Sequence, residues 1–239
     1  MSSLKNLYLK HHTKLNAVVM GNGPSLNNYD FDLIKKNYKD DTIFLACNRI
    51  SNLFHENNMS WRPDIYTCFT SESLISKDWQ NSIDRCLQDN TIYSFVFDNY
   101  RKVTKLESFH ENIFFCKEVL EHSRHEKVKN NFIDVPLELG FLKSYSATVT
   151  LFQICNWLNV KNIFLIGQDG YTKKRGDNHF SKTYNFEPGS FENSNNRILS
   201  VHRELKDYFI KKNVAIFNAS NNSILNEILS LGLNIPFMP

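Results

Sequence analysis

The chain has 239 residues, of which 41% are hydrophobic and 13% aromatic, a composition typical of a globular protein with a large core. Its 28 Lys and Arg against 25 Asp and Glu give a formal net charge of only +3, which argues against a protein that coats nucleic acid, so we expect no nucleic-acid partner. Five widely spaced cysteines without a Cys-x-x-Cys pair suggest neither a disulfide framework nor a zinc site, and they favour free thiols in a reducing compartment.

The N-terminal residues 1–14 are polar and basic and lack the apolar run of a signal peptide, so we expect a loose N-terminal segment. No apolar run in the sequence approaches the roughly 20 residues that a membrane-spanning helix needs. The sequence therefore predicts a cytoplasmic protein with at most peripheral contact to a membrane.

From residue 16 onwards, short apolar runs alternate with amphipathic stretches. The apolar runs predict buried strands at residues 16–20, 42–47, 65–69, 91–97, 113–116, 162–166 and 214–217. Helices are predicted at residues 26–39, 72–87, 146–158, 197–212 and 223–231. This alternation indicates one α/β domain over residues 1–239, Rossmann-like, with a mainly parallel sheet and helices on both faces. Residues 171–196 show no strong periodicity and predict a long, lid-like loop.

A glycine-containing loop, Gly21-Asn22-Gly23-Pro24-Ser25, follows the first predicted strand. Glycines let backbone amides approach a ligand closely, and the start of the following helix favours a phosphate. The loop lacks the third glycine of the dinucleotide fingerprint, since Leu26 stands there, and it is not a Walker loop. These residues alone leave a structural turn and a ligand-binding loop equally open.

Further polar residues stand where predicted strands end or a predicted helix begins. Asn48 is suited to reading a base or sugar, and Arg49 to holding a phosphate. Hydroxyl groups at Ser146 and Thr148 could hold a phosphate or carboxylate, and a Gly167–Tyr171 turn contributes the carboxylate of Asp169. Each also has an ordinary interpretation as a solvated strand end, a helix N-cap or an Asp-Gly turn. Because the carboxyl ends of parallel strands share one edge, we expect these loops to meet there.

Two histidines compete as a catalytic base. His179 is the only histidine in the predicted lid, where Tyr184 also lies, and His202 is in a predicted helix. The other six are expected at the surface or in linkers: His11, His12, His55, His110, His122 and His125. With no His-Glu-x-x-His motif or acidic triplet, the sequence predicts no metal site.

The motifs together resemble two families. Gly-Asn-Gly-Pro-Ser-Leu at 21–26, Cys-Asn at 47–48 and Ile-Phe-Leu-Ile-Gly-x-Asp-x-Tyr at 163–171 resemble bacterial sialyltransferases of glycosyltransferase family 42. With His179, Phe180 and Tyr184 added, they also resemble the 6-hydroxymethylpterin diphosphokinase-like family. That family includes proteins thought to glycosylate flagellin with nonulosonic acids.

The sialyltransferase resemblance implies inverting transfer from a CMP-sugar, with no catalytic metal or other cofactor. It implies that a histidine deprotonates the acceptor hydroxyl and that tyrosines, here Tyr171 and Tyr184, stabilise the leaving phosphate. The family histidine falls near Asn196, where this chain has none, so His179 or His202 has taken its role or the chemistry differs. Together with the rim argument, the resemblance predicts these donor-binding residues: Gly21, Asn22, Gly23, Ser25, Asn48, Arg49, Ser146, Thr148, Gly167 and Asp169.

The leading hypothesis is a glycosyltransferase that moves a sialic acid or related acid sugar from a CMP donor to a glycan hydroxyl, in bacterial surface polysaccharide or lipooligosaccharide synthesis. Its partners would be the nucleotide-sugar and the glycan acceptor, and a homo-oligomer stays open. One alternative is an ATP-dependent diphosphokinase acting on a pterin alcohol, which would need magnesium and carboxylates. Another is a non-catalytic nucleotide-binding subunit, which the missing family histidine favours.

Overall fold

The computed structural model describes residues 2–69, 75–121, 137, 140–143, 146–172, 178–181, 190–220 and 223–230. Nine strands lie in this part of the chain: β1 (Asn16–Met20), β2 (Thr42–Cys47), β3 (Ile65–Cys68), β4 (Tyr93–Phe97), β5 (Ile113–Cys116), β6 (Glu118–Glu121), β7 (Phe141–Lys143), β8 (Asn162–Ile166) and β9 (Ala215–Asn218). Its α-helices are α1 (Ser2–His11), α2 (Phe31–Tyr38), α3 (Ser51–Glu56), α4 (Lys77–Gln88), α5 (Thr148–Trp157) and α6 (Phe191–Lys211). Short 3-10 helices cover Pro24–Asn28, Asp98–Lys102 and Ile224–Glu227.

Seven strands form one sheet in the order β5-β4-β3-β2-β1-β8-β9, and every neighbouring pair is parallel. The chain builds outward from β1 to β5 and then places β8 on the other side of β1. In sheets of this kind, ligands bind at this change of direction, beyond the carboxyl ends of the strands. Met20 is in register with both Ala46 and Ile166, so β1 and β8 end at the same level and β2 ends one residue beyond it.

The sheet separates two hydrophobic cores. Along β1, Ala17 and Val19 face the core that contains α1, α5 and α6, whereas Val18 and Met20 face the core that contains α2, α3 and α4. All six residues of β2 are buried, as expected for a strand covered on both faces. The predicted α/β class, with a parallel sheet and helices on both faces, is confirmed.

The N-terminal segment is a helix, not the loose segment that its polarity predicts. In α1, Leu7 is fully buried in the first core, Leu4 packs against the same core, and His11 is 3% exposed. These three positions are three and four residues apart, so they share one face of a helix. Lys10 in the last turn also suits the negative end of the helix dipole. The expectation that His11 lies at the surface or in a linker is wrong for the same reason.

The long helix α6 begins at Phe191 instead of residue 197, so the last part of the predicted lid is helical. Ser190 is the N-cap, and its hydroxyl accepts a hydrogen bond from the Asn193 amide at 3.3 Å. The run of Asn and Ser after Phe191 has weak helix propensity, which hid the start of the helix in the sequence.

Other helix predictions change at their ends. Residues 26–39 divide into a 3-10 helix and α2, because the Asp30 side chain caps α2 by accepting from the Leu33 amide at 3.0 Å. The predicted helix at residues 223–231 is the 3-10 helix Ile224–Glu227. In the part of the chain that the structure describes, no helix is both long enough and apolar enough to span a bilayer.

Candidate functional site

The loops after β1 and β8, named here the β1 loop (residues 21–25) and the β8 loop (residues 167–170), run side by side at the change of strand direction. The Gly21 amide donates to the Ile166 carbonyl and the Gly23 amide to the Gly167 carbonyl, both at 2.8 Å. The Ser25 amide then donates to Asp169 Oδ2 at 2.9 Å. These three hydrogen bonds hold the predicted donor loop against the β8 loop.

Gly23 is required by the closeness of these loops. A Cβ on Gly23 would lie 2.1 Å from Asp169 Oδ2, and a Cβ on Gly167 would lie 2.7 Å from Leu26. Gly167 also has a φ of 65°, which a side chain would strain. Both glycines allow close packing of the two loops, and in this structure their role is to build the site.

Asp169 is turned towards the β1 loop. Burial raises the pKa of its carboxyl group, and hydrogen bonds from the Ser25 amide, the Ser25 hydroxyl and the Ser220 hydroxyl oppose that rise. Its Oδ1 atom is buried and accepts no hydrogen bond from the described residues. In this position Asp169 shapes the β1 loop. Its role in binding the donor remains a prediction.

Two asparagine side chains lie at the ends of neighbouring strands. Asn22 Nδ2 donates to the Cys47 carbonyl at 3.2 Å, which directs Oδ1 of the same amide away from that carbonyl. Asn48 has a φ of 55°; its amide donates to the Thr67 carbonyl at 3.0 Å, and its carbonyl accepts from the Tyr66 hydroxyl at 2.6 Å. Within the described residues, Oδ1 of Asn22 and Oδ1 of Asn48 are buried and have no hydrogen-bond partner. Both oxygens are therefore suited to accept from a ligand.

The N-terminus of α5 lies at the same edge of the sheet. Thr150, in its first turn, contacts Thr67 of β3 through their hydroxyls at 3.1 Å, and the Thr67 carbonyl is the acceptor for Asn48. The N-cap position is Ala147, which has no side-chain group to cap the helix. The hydroxyls of Ser146 and Thr148 are hydrogen-bonded to each other at 2.7 Å. The two predicted hydroxyl residues are thus brought to the rim beside Asn48.

Arg49 directly follows Asn48 in the turn before α3, and its side chain is buried, with 4% exposure. Its backbone therefore lies beside Asn48 at the end of β2, and the binding of a phosphate by its side chain stays a prediction. Tyr184, the second predicted phosphate-stabilising tyrosine, lies outside the described residues.

The lid segment of residues 178–181 lies on the β1 loop. The Phe180 amide donates to the Asn22 carbonyl at 3.1 Å, and Asn27 Nδ2 donates to the Phe180 carbonyl at 3.0 Å. The Ser181 hydroxyl donates to Glu56 of α3 at 2.8 Å. His179 directly precedes these anchors and is therefore held beside the predicted donor loop.

Tyr171 and His179 are neighbours in space. Their rings meet edge to face, with centroids 6.0 Å apart and planes at 84°. Asn195 of α6 holds the Tyr171 backbone from both sides, accepting from its amide and donating to its carbonyl, each at 2.8 Å. Asn178 Oδ1 accepts from the Thr172 amide at 2.6 Å. Two predicted catalytic residues are thus assembled next to the nucleotide-binding candidates.

His202, the competing base, lies in the core. It is 1% exposed and packs edge to face against Phe152, and its Nδ1 bonds to the Ile198 carbonyl at 2.8 Å. Burial lowers the pKa of its ring to about 4. This histidine is buried away from the rim, so His179 is the remaining candidate of the two, and its catalytic role stays a prediction.

Four residues that contribute to the site were not predicted: Gln168, Asn178, Asn195 and Ser220. Ser220 follows β9 and is 1% exposed; its hydroxyl accepts from the Gly167 amide and contacts the Ser25 hydroxyl, both at 3.1 Å. The rule that loops at the carboxyl ends of parallel strands share a rim would have found Ser220, had it been extended to the last strand. Asn178 and Asn195 carried no comparable signal in the sequence.

The cysteines do not supply a nucleophile to this site. All five are free and buried. Burial raises the pKa of Cys47, at the end of β2, to about 12, so its thiol stays protonated at neutral pH.

Comparison with known proteins finds similar solved structures and one matching family model. Two similar structures are the sialyltransferase CST-II in complex with a trisaccharide acceptor and CMP, with a TM-score of 0.44, and a variant of CST-II in complex with CMP, with a TM-score of 0.48. Each is 14% identical, and each match covers 92% of this chain and 86% of the other. No curated protein matches the sequence. The family model described as 6-hydroxymethylpterin diphosphokinase MptE-like matches residues 1–174, and the chain therefore belongs to this family.

Proposed function

We propose that the protein is a glycosyltransferase that uses a CMP-activated acid sugar, such as a sialic acid, and that the nucleotide binds at the carboxyl ends of β1 and β2. The observation that carries this proposal is the pair of buried, unpartnered amide oxygens on Asn22 and Asn48. Leaving such a group unpaired destabilises the protein by about 1–3 kcal/mol, and a hydrogen bond from a ligand N–H or O–H would remove this penalty. A nucleoside offers both kinds of donor in its exocyclic amine and its ribose hydroxyls.

The phosphate of the donor would lie at the N-terminus of α5. The backbone amides at a helix start carry partial positive charge, and Ala147 provides no side-chain cap for them. The hydroxyls of Ser146 and Thr148 would donate to the phosphate or to the sugar carboxylate, and Arg49 would balance their charge. The link from this helix through Thr67 to Asn48 supports a single continuous site.

In the reaction, the acceptor hydroxyl oxygen forms a bond to the anomeric carbon of the sugar while the bond from that carbon to the phosphate oxygen breaks. CMP leaves with the bonding electrons, and His179 takes the proton of the acceptor hydroxyl. Tyr171 and Tyr184 would donate to the phosphate as negative charge develops on it. The placement of His179 beside Asn22 and Tyr171 supports these roles. The acceptor would be a glycan hydroxyl in bacterial surface polysaccharide synthesis.

Membership of the 6-hydroxymethylpterin diphosphokinase MptE-like family favours a second candidate, transfer of diphosphate from ATP to a pterin alcohol. That reaction needs carboxylates to hold magnesium. Asp169 and Asp177 are the carboxylates that could contribute; Asp169 accepts a hydrogen bond from the Ser25 amide, and Asp177 lies outside the described residues. No group of three or more His, Cys, Asp or Glu with metal-binding geometry occurs among the described residues. We therefore rank this activity second.

A thermal-shift titration with CMP, CDP, UDP and ATP, each with and without magnesium, tests the proposal. We expect CMP to raise the melting temperature without magnesium, because a ligand stabilises the state that binds it. Asn22→Ala should weaken CMP binding about tenfold by removing one hydrogen bond, whereas Asn90→Ala, at an exposed position away from the rim, should not.

Each other result has a definite meaning. A response to ATP with magnesium, and none to CMP, would make the diphosphokinase the better assignment. Binding of CMP by a protein that transfers sugar to no glycan acceptor would indicate a non-catalytic nucleotide-binding subunit. No response to any of the four nucleotides would reject both enzymatic assignments.

A further inference from the structure

Gln168 is a buried polar residue in the β8 loop, where the strand order changes direction. It is 8% exposed, and its Nε2 atom is buried without a hydrogen-bond partner among the described residues. The backbone of the same residue is held separately, since its carbonyl accepts from the Ser223 hydroxyl. The loop is therefore anchored without the Gln168 side chain, whose amide is left with a hydrogen bond to make.

The Gln168 amide lies against the backbone of the β1 loop. Its Nε2 would be 2.7 Å from a Cβ on Gly21, so the absence of a side chain at Gly21 leaves room for the amide. Asn22 follows Gly21 directly, and Asp169 follows Gln168. Each of these two neighbours also has a buried oxygen with no partner in the described part of the chain.

Three unpartnered polar atoms lie in two loops that are hydrogen-bonded to each other, and a buried polar group normally has a hydrogen-bond partner. Two other glutamines show the usual situation. Gln80 donates to the Val103 carbonyl, and Gln153 donates to the Gly140 carbonyl at 3.0 Å. Gln168, in contrast, has a buried Nε2 without a partner among the described residues, at the edge of the sheet where ligands bind in folds of this kind.

We propose that Gln168 is a specificity-determining residue whose amide N–H donates a hydrogen bond to an acceptor oxygen or nitrogen of the bound CMP-sugar. This inference rests on the proposed function and adds a substrate contact to it. A carboxamide is neutral and can turn either end inward, so it suits an acceptor on the base or on the acid sugar without adding charge beside Asp169. The two sources of that acceptor are separated by the experiment.

Substitution by leucine separates recognition from a structural role. Leucine has a similar size but no polar atom, so Gln168→Leu removes a buried group that has no partner within the protein. Removing such a group does not destabilise a protein and can stabilise it. A Gln168 that holds the fold together would give the opposite result.

The experiment compares the full-length wild type, Gln168→Leu, Gln168→Glu and the control Gln88→Leu, which alters an exposed glutamine at the end of α4. The melting temperature is measured without ligand, and dissociation constants are measured for CMP and for CMP-N-acetylneuraminic acid. For Gln168→Leu we expect an equal or higher melting temperature and a dissociation constant about tenfold higher than that of the wild type. Gln168→Glu should bind still more weakly, because an acceptor replaces the donor, and Gln88→Leu should match the wild type.

Weaker binding of both probes assigns the contact to the nucleotide, and weaker binding of the CMP-sugar alone assigns it to the sugar. An unchanged dissociation constant in Gln168→Leu, with a wild type that binds CMP, overturns this inference and leaves the proposed function standing. A melting temperature lowered by several degrees in Gln168→Leu assigns the side chain to the fold and also overturns it. A wild type that binds neither probe rejects the proposed function and the inference together.

Discussion

Gly23 and Asp169 are individual residues whose identities depend on each other. The carboxylate of Asp169 occupies the space that a side chain at position 23 would need, and it accepts the hydrogen bond of the Ser25 amide. Phosphate-binding loops are commonly described by the freedom that glycine gives to the backbone. Here the requirement at position 23 is steric, since its φ of −73° is open to any residue.

Gly23→Ala should destabilise the protein by on the order of 1–3 kcal/mol, because the added methyl group overlaps Asp169 Oδ2. Asp169→Ala should also be destabilising, since the Ser25 amide loses its acceptor. In the double variant the overlap with Asp169 no longer exists and only the approach to the Gly167 carbonyl oxygen, at 2.8 Å, remains, so its loss should be smaller than the sum of the two single losses. Urea unfolding of the four proteins measures this coupling, and strictly additive losses would show that the two residues act independently.

At the scale of secondary-structure elements, the early start of α6 positions Tyr171, the first residue of the predicted lid. Because the helix begins at Phe191, Asn195 is part of its second turn and holds both backbone groups of Tyr171. The β8 loop is also held by the segment after β9, since the Ile224 amide donates to the Asp169 carbonyl at 3.3 Å and Ser220 accepts from Gly167. Elements late in the chain therefore position the two loops that follow β1 and β8.

Asn195→Ala should lower the turnover number for sugar transfer by about tenfold to a hundredfold, because small displacements of catalytic groups are costly. The dissociation constant for CMP should stay within about twofold, since Asn22 and Asn48 remain in place. Asn193→Ala, an exposed asparagine in the same helix, is the matched control. His179→Ala should likewise spare CMP binding and lower turnover. Asn195→Ala with normal turnover would show that holding Tyr171 is not needed for the reaction.

At the scale of the whole molecule, two buried histidines lie on the same face of the sheet. His11 ends α1 and packs edge to face on Tyr93, and His202 in α6 packs on Phe152. Burial lowers the pKa of both rings to about 4; at His11, Asp64 partly opposes this and neighbouring lysines add to it. In an unfolded chain, both histidines would titrate near 6.5.

These shifts predict an acid-sensitive fold. Between pH 6.5 and about 4, the unfolded chain binds protons that the folded protein does not, so the free energy of unfolding falls as the pH falls. The two histidines contribute no such slope above this range, and each can cost on the order of 3 kcal/mol at its lower end. Urea unfolding at pH 7.5, 5.5 and 4.5 should show this loss. His202→Leu should reduce the slope, while His12→Gln, at an exposed position, should retain it. An equal slope in His202→Leu would contradict the assignment.

The sequence by itself determined the parallel sheet and the position of the β1 loop. Strands β1, β2, β5 and β8 were predicted with their observed ends, because a buried strand is a local run of apolar residues bounded by turn residues. The rule for the carboxyl ends of parallel strands then brought Asn22, Asn48 and Asp169 to one edge.

Only the tertiary structure decided which side chains hold the loops of the site together and which side chains lie at the rim. Asp169 meets Ser25 across 144 positions of sequence, and no local pattern records that contact. The position of His202 away from the rim depends on its burial in the core against Phe152. The helical start of α6 and the docking of α1 also depend on packing against distant residues. Burial of apolar surface contributes more to the stability of a helix than local propensity does, so packing outweighs the weak propensity of these segments.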